Sequence, residues 1–312
     1  MTSLIKDRLL FVGKYLIGLS LLGWLVWRFD LRTILRAVQD ITSQTLLWVF
    51  LLAALNLAIQ YRRWRYLVHA HSADFNPHDV IPAFFAGFAF RLMIPGGHAE
   101  IAKVFLLPGK KSGKVMAFGM EKYFEAYIKL ILLLAALPVA FGLPKILFWG
   151  IAGAGVVLIY FLPRVLRNRW LRQFEEKDVH YASSFTAILL YTGGLLLALM
   201  LQYYFLLNDR STAGMGTTVI AVIFIWSSGL LPISIAGMGV RENVAAFYLS
   251  RQGIAAPLAA GVTFLVFTLN VLVPAAIGLF FIYRKRRHLQ QAGTTLQQSA
   301  KKLYRDFKER NK

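Results

Sequence analysis

Apolar runs long enough to cross a bilayer recur along this chain, and they constrain its fold more than any other feature. A helix needs roughly 20 predominantly apolar residues to span the hydrocarbon core. Runs of about that length occupy residues 9–27, 44–60, 115–140, 146–162, 184–207 and 257–283. Composition agrees, with 57% of the 312 residues hydrophobic and 16% charged, where soluble domains carry about 25% charge. The runs are continuous and rich in Leu, Ala and Phe. They do not alternate in ten-residue segments, which argues against an outer-membrane barrel. The chain reads as an all-α integral membrane protein with about six full spans. No small-residue cleavage site follows the first run, so it is expected to remain as an uncleaved span.

Two further apolar segments are broken in the middle. Residues 80–111 are interrupted by Pro95, Gly96 and Gly97, and residues 217–253 by the stretch LPISIAGMGVREN. The halves of the first are some 10–14 residues long, too short to span, so each segment is expected to be a re-entrant helical hairpin. Basic residues place the cytoplasmic edges. They are Arg62, Arg63 and Arg65 after the second span, Lys110, Lys111 and Lys114 after the first hairpin, Arg164, Arg167, Arg169 and Arg172, and RKRRH after the last span. On this reading both termini are cytoplasmic, the protein is multi-pass in the cell (inner) membrane, and the two hairpins open from opposite faces. The membrane domain 1–283 then divides into repeat one (about 1–140) and repeat two (about 141–283), followed by a basic cytoplasmic tail, 284–312. Each repeat has two spans, a hairpin and one more span, and three crossings per repeat invert the second. Inverted repeats with broken helices are a plan of secondary transporters, with the site where the breaks meet. Gly97-x-x-Glu100 and Gly239-x-x-Glu242 are the matching signatures. Two smaller elements complete the pass: an interfacial helix in DLRTILRAVQDI, and a tail whose Leu289, Leu296 and Leu303 suit a surface helix, a short coiled coil or a solvated segment alike.

The formal net charge is +20, from 35 basic and 15 acidic residues. The basic residues cluster beside spans, so anionic lipid explains them and a nucleic-acid partner is not expected. There is no cysteine, which excludes thiol chemistry. GKKSGK lacks the spacing of a nucleotide-binding loop, and His69, His71 and His78 fit no metal-ligand spacing, so neither cofactor nor metal is expected. His98, inside the first break, is a proton-carrying candidate. Glu100, Glu121, Glu125 and Glu242 lie in or against apolar segments. A charge at membrane depth costs about 2.5–3.5 kcal/mol even on insertion scales, so such groups face a partner or a wet cavity. Lys103, Lys122 and Lys129 stand three or four residues from one of these acids. Each glycine-rich break also frees backbone N–H groups, and the helix after it points its positive end at an anion such as phosphate. The alternative reading is that Pro and Gly allow close packing while Glu–Lys pairs glue helices together.

IPGGHAEIAKVFLL, the GMEKYFE start of the third long run, and LPISIAGMGVREN together resemble the three signature regions of the lysylphosphatidylglycerol synthase/flippase transmembrane superfamily. Pro232, Ser234, Gly237, Gly239, Arg241 and Glu242 fit the third region. Lys122 stands for an arginine in the second. The first departs at Ala99, where glycine is usual, and at Lys103, where arginine is usual. The resemblance implies a stand-alone flippase-like domain related to the lipid-translocating half of bifunctional synthases. About 29 residues follow the last run, so the aminoacyl-transferase domain of those synthases is expected to be absent and the chain not to be an enzyme.

The expected function is therefore a lipid flippase moving a phospholipid or lipid-linked amphiphile through a cavity between the hairpins. The partner would be an anionic or aminoacylated phospholipid or a polyprenyl-linked sugar. Candidate substrate-binding residues are Pro95, Gly96, Gly97, Glu100, Lys103, Glu121, Lys122, Glu125, Pro232, Ser234, Gly237, Gly239, Arg241 and Glu242. Phosphate is assigned to the helix N-termini with Arg241, Lys103 and Lys122, and an amino headgroup or protons to Glu100, Glu121 and Glu242. Two rival readings remain: a membrane-embedded enzyme using Glu100 or Glu242 as acid–base residues, and a non-catalytic partner of a lipid synthase or glycosyltransferase.

Overall fold

The computed structural model describes residues 31–74, 76–93, 99–166, 181–231, 234 and 236–284, with single positions 20, 23, 24 and 27 ahead of them. The expected first span, the break residues Pro95, Gly96, Gly97, His98 and Pro232, the arginines 167, 169 and 172, and the tail after residue 284 lie outside the described residues.

Every regular element among the described residues is helical. Helix α1 (Leu31–Gln39) precedes α2 (Ser43–His71). The first broken segment gives α3 (Pro77–Met93) and, beyond the break, a 3-10 turn at Ala99–Ile101 running into the single turn α4 (Ala102–Phe105). Then come α5 (Ser112–Phe141), α6 (Lys145–Leu166) and α7 (Tyr181–Asn208). The second broken segment gives α8 (Met215–Ser227) and α9 (Val240–Arg251). Helix α10 (Ala256–Phe267) continues through a π turn (Thr268–Leu272) into α11 (Val273–Arg284). Among the described residues four helices are long and apolar enough to cross a membrane: α2, α5, α7 and the α10–α11 rod. Helix α6 adds a shorter apolar stretch. Leu47, Phe50, Ile146, Leu158, Leu190 and Phe280 are large apolar side chains left exposed on these helices. An apolar exterior of this kind suits lipid and not water.

The two broken segments differ. Beyond its break the second continues in a helix of 12 residues that packs against α8. The first returns through one 3-10 turn and one α turn, so its arms are unequal, 17 residues against four of α-helix. The returning arm is held by side chains more than by helical hydrogen bonds.

Helix packing crosses the sequence halves. Helix α2 packs along α7, α3 along α11, and α8 along α5. Gly278 permits the α3–α11 contact, since a Cβ there would sit 2.1 Å from the Phe85 carbonyl oxygen. Two apolar cores result. One gathers α8, α9 and α10 with the later parts of α5 and α7, through Phe224, Tyr248 and Val262. The other gathers the end of α2, α3 and α4 with the early part of α5 and with α11, through Trp64, Phe84, Phe124 and Ala275. Outside the membrane-length segments, Asp209 ties α7 to the start of α2: its carboxylate accepts from the Thr42 hydroxyl at 2.7 Å and the Thr45 hydroxyl at 2.8 Å.

Candidate functional site

Between the two cores the long helices change character. On α2 the side chains of Asn56, Gln60 and Arg63 recur at helical spacing, so they share one face in an otherwise apolar helix. On α5 the same holds for Glu121, Glu125 and Lys129. These residues, with Asn270 of the π turn, line a cavity of about 110 Å³. Asn56 and Glu125 are each the fourteenth residue of their helices, and Asn270 is the fifteenth of the 29 residues of the α10–α11 rod. At 1.5 Å per residue this is about 20 Å from either end of each helix. The polar cavity therefore sits at mid-length of helices that are membrane-length.

Its charged groups form a closed ring. Arg63 Nη2 lies 2.9 Å from Glu121 Oε1, and Glu121 Oε2 lies 2.9 Å from Lys103 Nζ. Lys103 reaches Glu100 at 2.8 Å, and Glu100 reaches Lys122 at 2.6 Å. Lys122 approaches Glu125 at 3.7 Å, and Glu125 returns to Arg63 at 3.4 Å. Three cations alternate with three carboxylates, drawn from α2, α5 and the returning arm of the first broken segment. Lys129 hangs outside the ring on Glu125, at 2.7 Å. Lys103 is 1% exposed, and its ammonium lies 3.9 Å over the Trp64 ring. Gly87 on α3 makes room for this arm, since a Cβ there would meet Lys103 Cδ at 3.0 Å and Glu100 Cγ at 3.2 Å. The ring thus replaces the helix that the short returning arm lacks. Burying so many charges is tolerable because every carboxylate has at least two cationic partners.

The second broken segment contributes differently. Ala236, Gly237 and Gly239 have positive φ of 51°, 81° and 80°, which coils the chain tightly ahead of α9. Arg241 reaches back over this coil to line the cavity. A Cβ at Gly237 would sit 2.6 Å from Arg241 Nε, so only glycine leaves the guanidinium its place. The position of the Cβ that Gly229 lacks is 3.6 Å from Lys129 Nζ and 3.8 Å from Arg241 Nη2, so both cations border Gly229. Arg91 on α3 lines the same cavity. Among the described residues no carboxylate lies within ion-pair distance of Arg91 or Arg241, and Arg241 Nε is buried without a hydrogen-bond partner.

The sequence-derived candidates thus separate into groups. Glu100, Lys103, Glu121, Lys122 and Glu125 come together in the ring, and Arg241 joins them across the cavity. Glu242 does not line it. Its Oε2 accepts from the Gly239 N–H at 2.7 Å, capping α9, and the residue is 0% exposed. Its other oxygen, Oε1, has no partner. Ser234 is buried, with its hydroxyl unpartnered, and Gly237 and Gly239 shape the turn. The amide end of α9 is therefore engaged by the chain's own carboxylate, and the anion-binding character of the cavity rests on side chains. Three charged residues of the cavity lining were not among the expected ones. Arg63 reads in sequence as a cytoplasmic marker like Arg62 and Arg65, yet it is 3% exposed and belongs to the ring. Arg91 and Lys129 are the others. The signal for Arg63 is the Asn56–Gln60–Arg63 stripe, which puts Arg62 and Arg65 on the opposite, surface face. Lys114 also differs from its reading as a loop cation, being 1% exposed and donating to the Pro108 and Lys110 carbonyls at 2.6 Å each. Among the described residues no set of His, Asp and Glu side chains is gathered for a metal ion.

No curated protein matches the chain. A family model described as the lysylphosphatidylglycerol synthase TM region matches residues 11–278, which takes in α1 to α10, the π turn and the first half of α11. Glu121, Lys122, Arg241 and the Gly237–Gly239 turn, which carry the resemblance in sequence, all stand at or beside the cavity. With its multi-pass helical architecture and its match over most of its length, the chain belongs to the lysylphosphatidylglycerol synthase transmembrane-region family, whose membrane domains handle phospholipid.

Proposed function

We propose that the protein is a lipid flippase of the cell (inner) membrane, with both termini cytoplasmic, and that a lipid headgroup passes through the mid-depth cavity while the acyl chains stay in the bilayer. One observation carries this reading. A charged, hydratable cavity lies at mid-length of four membrane-length helices, where charge is costly unless it serves transport or binding. Arg91, Arg241, Lys122, Lys129, Glu100 and Glu125 would meet the headgroup. Lys103, Glu121, Gly237, Gly239, Ser234 and Glu242 would hold the two broken segments in shape. Pro95, Gly96, Gly97 and Pro232 would form the breaks themselves. The reciprocal packing of α3 on α11 and α8 on α5 supports an inverted repeat, 1–140 and 141–283, whose parts rock about the cavity.

The enzyme reading is less well supported. Each of Glu100, Glu121 and Glu125 is engaged by at least two cations, and Glu242 caps α9 without lining the cavity, so no carboxylate in the cavity is placed to take a proton from substrate. The test is translocation of fluorescent phospholipids in proteoliposomes, wild type against Lys129→Gln with Arg241→Gln. The expected result is protein-dependent transfer that the double variant lowers at least about tenfold, equivalent to about 1.4 kcal/mol on the barrier. Equal rates in protein-free and protein-containing vesicles across many lipid classes would sink the proposal, and a new lipid product would move it to the enzyme reading.

A further inference from the structure

The ring is self-neutral, three cations against three carboxylates, so its charges are spent on one another. Lys129, Arg91 and Arg241 lie outside it and line the same cavity. Only Lys129 touches a carboxylate, and that one, Glu125, is already shared with Arg63 and Lys122. The cavity therefore carries three positive charges beyond what the ring neutralises. Counting Glu242, which sits behind Arg241 as a helix cap, still leaves an excess of two. At mid-bilayer depth such an excess calls for an anion with more than one charge. A single-charge phosphodiester leaves it incompletely balanced. An aminoacylated headgroup adds positive charge where every carboxylate lining the cavity is already ion-paired.

Resting on the headgroup-cavity reading above, we infer that the ligand is a lipid ending in a phosphate monoester or a diphosphate, with two or more negative charges at the headgroup, and that aminoacylated lipid is excluded. Arg91 and Arg241 are the selectivity residues, because neither is held by a carboxylate among the described residues. Lys129 assists from beside Arg241, the two ammonium and guanidinium groups flanking Gly229. The short lining turn at Gly237 keeps the Arg241 guanidinium in that position.

The test measures binding to the purified full chain in neutral detergent at pH 8, by thermal shift and native mass spectrometry. The probes are phosphatidic acid, a polyprenyl phosphate, phosphatidylglycerol and lysyl-phosphatidylglycerol, with inorganic pyrophosphate as the soluble anion. Phosphatidic acid and polyprenyl phosphate are expected to bind at least about tenfold tighter than phosphatidylglycerol, with lysyl-phosphatidylglycerol weakest, since one extra charge at close range in a poorly screened site is worth at least that factor. In the Arg91→Gln, Arg241→Gln double variant the preference should fall to within about threefold. That variant breaks no ion pair among the described residues and should fold. Arg62→Gln with Arg65→Gln removes equal charge from the outer face and should leave the preference unchanged. Equal affinity for all lipids, tightest binding of lysyl-phosphatidylglycerol, or a preference that persists in the double variant would overturn the inference. Pyrophosphate binding as tightly as the lipids would overturn the lipid assignment. Selective binding without translocation in vesicles would refute the transport reading alone. Translocation of the aminoacylated lipid would refute this inference alone.

Discussion

Lys103 and Lys129 are two buried lysines of one charge cluster, 1% and 7% exposed, and each sits over a tryptophan ring, at 3.9 and 4.8 Å. Judged by burial and cation–π contact, replacing either by Met should cost about the same. Judged by connectivity, it should not. Lys103 closes the ring, with carboxylates at 2.8 and 2.9 Å. At an effective dielectric of about 20, each contact near 3 Å is worth about 5 kcal/mol, and desolvating the lysine offsets several kcal/mol of the total. Lys103→Met is therefore expected to destabilise by about 3–5 kcal/mol, the range for stranding buried charge. Lys129 makes one such contact, at 2.7 Å, and its carboxylate keeps Arg63 and Lys122. Desolvation nearly cancels that single contact, so Lys129→Met should cost less than about 1 kcal/mol. In a chain of this length about 2 °C of melting temperature accompanies each kcal/mol. Thermal unfolding of the purified protein in detergent, followed by tryptophan fluorescence, should show a drop of about 6–10 °C for Lys103→Met and under about 2 °C for Lys129→Met. Lipid translocation should fall in both. Equal melting shifts, or a larger one for Lys129→Met, would refute the ring as the structural unit.

Three further outcomes are expected. Gly237→Ala puts a Cβ 2.6 Å from Arg241 Nε at a φ of +81°. It should cost about 1–3 kcal/mol and abolish the charge preference of the cavity, measured by the same lipid-binding series. Gly278→Ala drives a methyl group into the Phe85 carbonyl at 2.1 Å. The rigid backbone on both sides predicts a loss of about 1–3 kcal/mol, read as a melting shift, with a larger loss for Gly278→Val. Asp209 supplies a pH test outside the membrane-length segments. Burial pushes its carboxyl up, but hydrogen bonds from Thr42 and Thr45 outweigh this and hold it below its ordinary value. A depressed folded-state value means the stabilisation is complete above about pH 4–5, where the unfolded carboxyl is also ionised, and fades as pH falls. Melting temperatures from pH 6 to pH 3 should decline more steeply in wild type than in Asp209→Asn, and parallel curves would refute the link.

Much of this was legible in the sequence because membrane burial writes itself as long apolar runs, and because few side chains other than functional ones are charged inside them. Glu100, Glu121, Lys122, Glu125 and Arg241 could be picked out for that reason. Arg63 could not be picked out by the same rule, because three arginines within four residues at a helix end look like an interfacial anchor. Only the helical phase separates the inward one from the outward pair. Glu242 shows the opposite limit. Both Arg241 and Glu242 are expected to meet the headgroup, yet successive helix positions point about 100° apart, so Arg241 faces the cavity and Glu242 turns back onto the Gly239 amide. The short returning arm of the first broken segment was also beyond reach. EIAKVFLL has helical composition, its α turn ends at Phe105 shortly before Pro108, and the contact that holds it in place is tertiary: Lys103 donates to Glu121, 18 positions along the chain.

The contact of Gly278 with Phe85 has a mechanical consequence. It locks the descending arm of the first broken segment, from the front of the chain, to the last helix of the back. The α8–α5 contact does the converse. A cut between residues 140 and 141 divides the polypeptide into halves, but a rigid-body motion that keeps both contacts would carry α3 with α11 and α5 with α8. The moving parts are then exchanged assemblies, each braided from both halves of the chain. Cysteine cross-links would report this directly in a protein with no native cysteine: links within an exchanged pair should be tolerated through the transport cycle, and links between the pairs should arrest it.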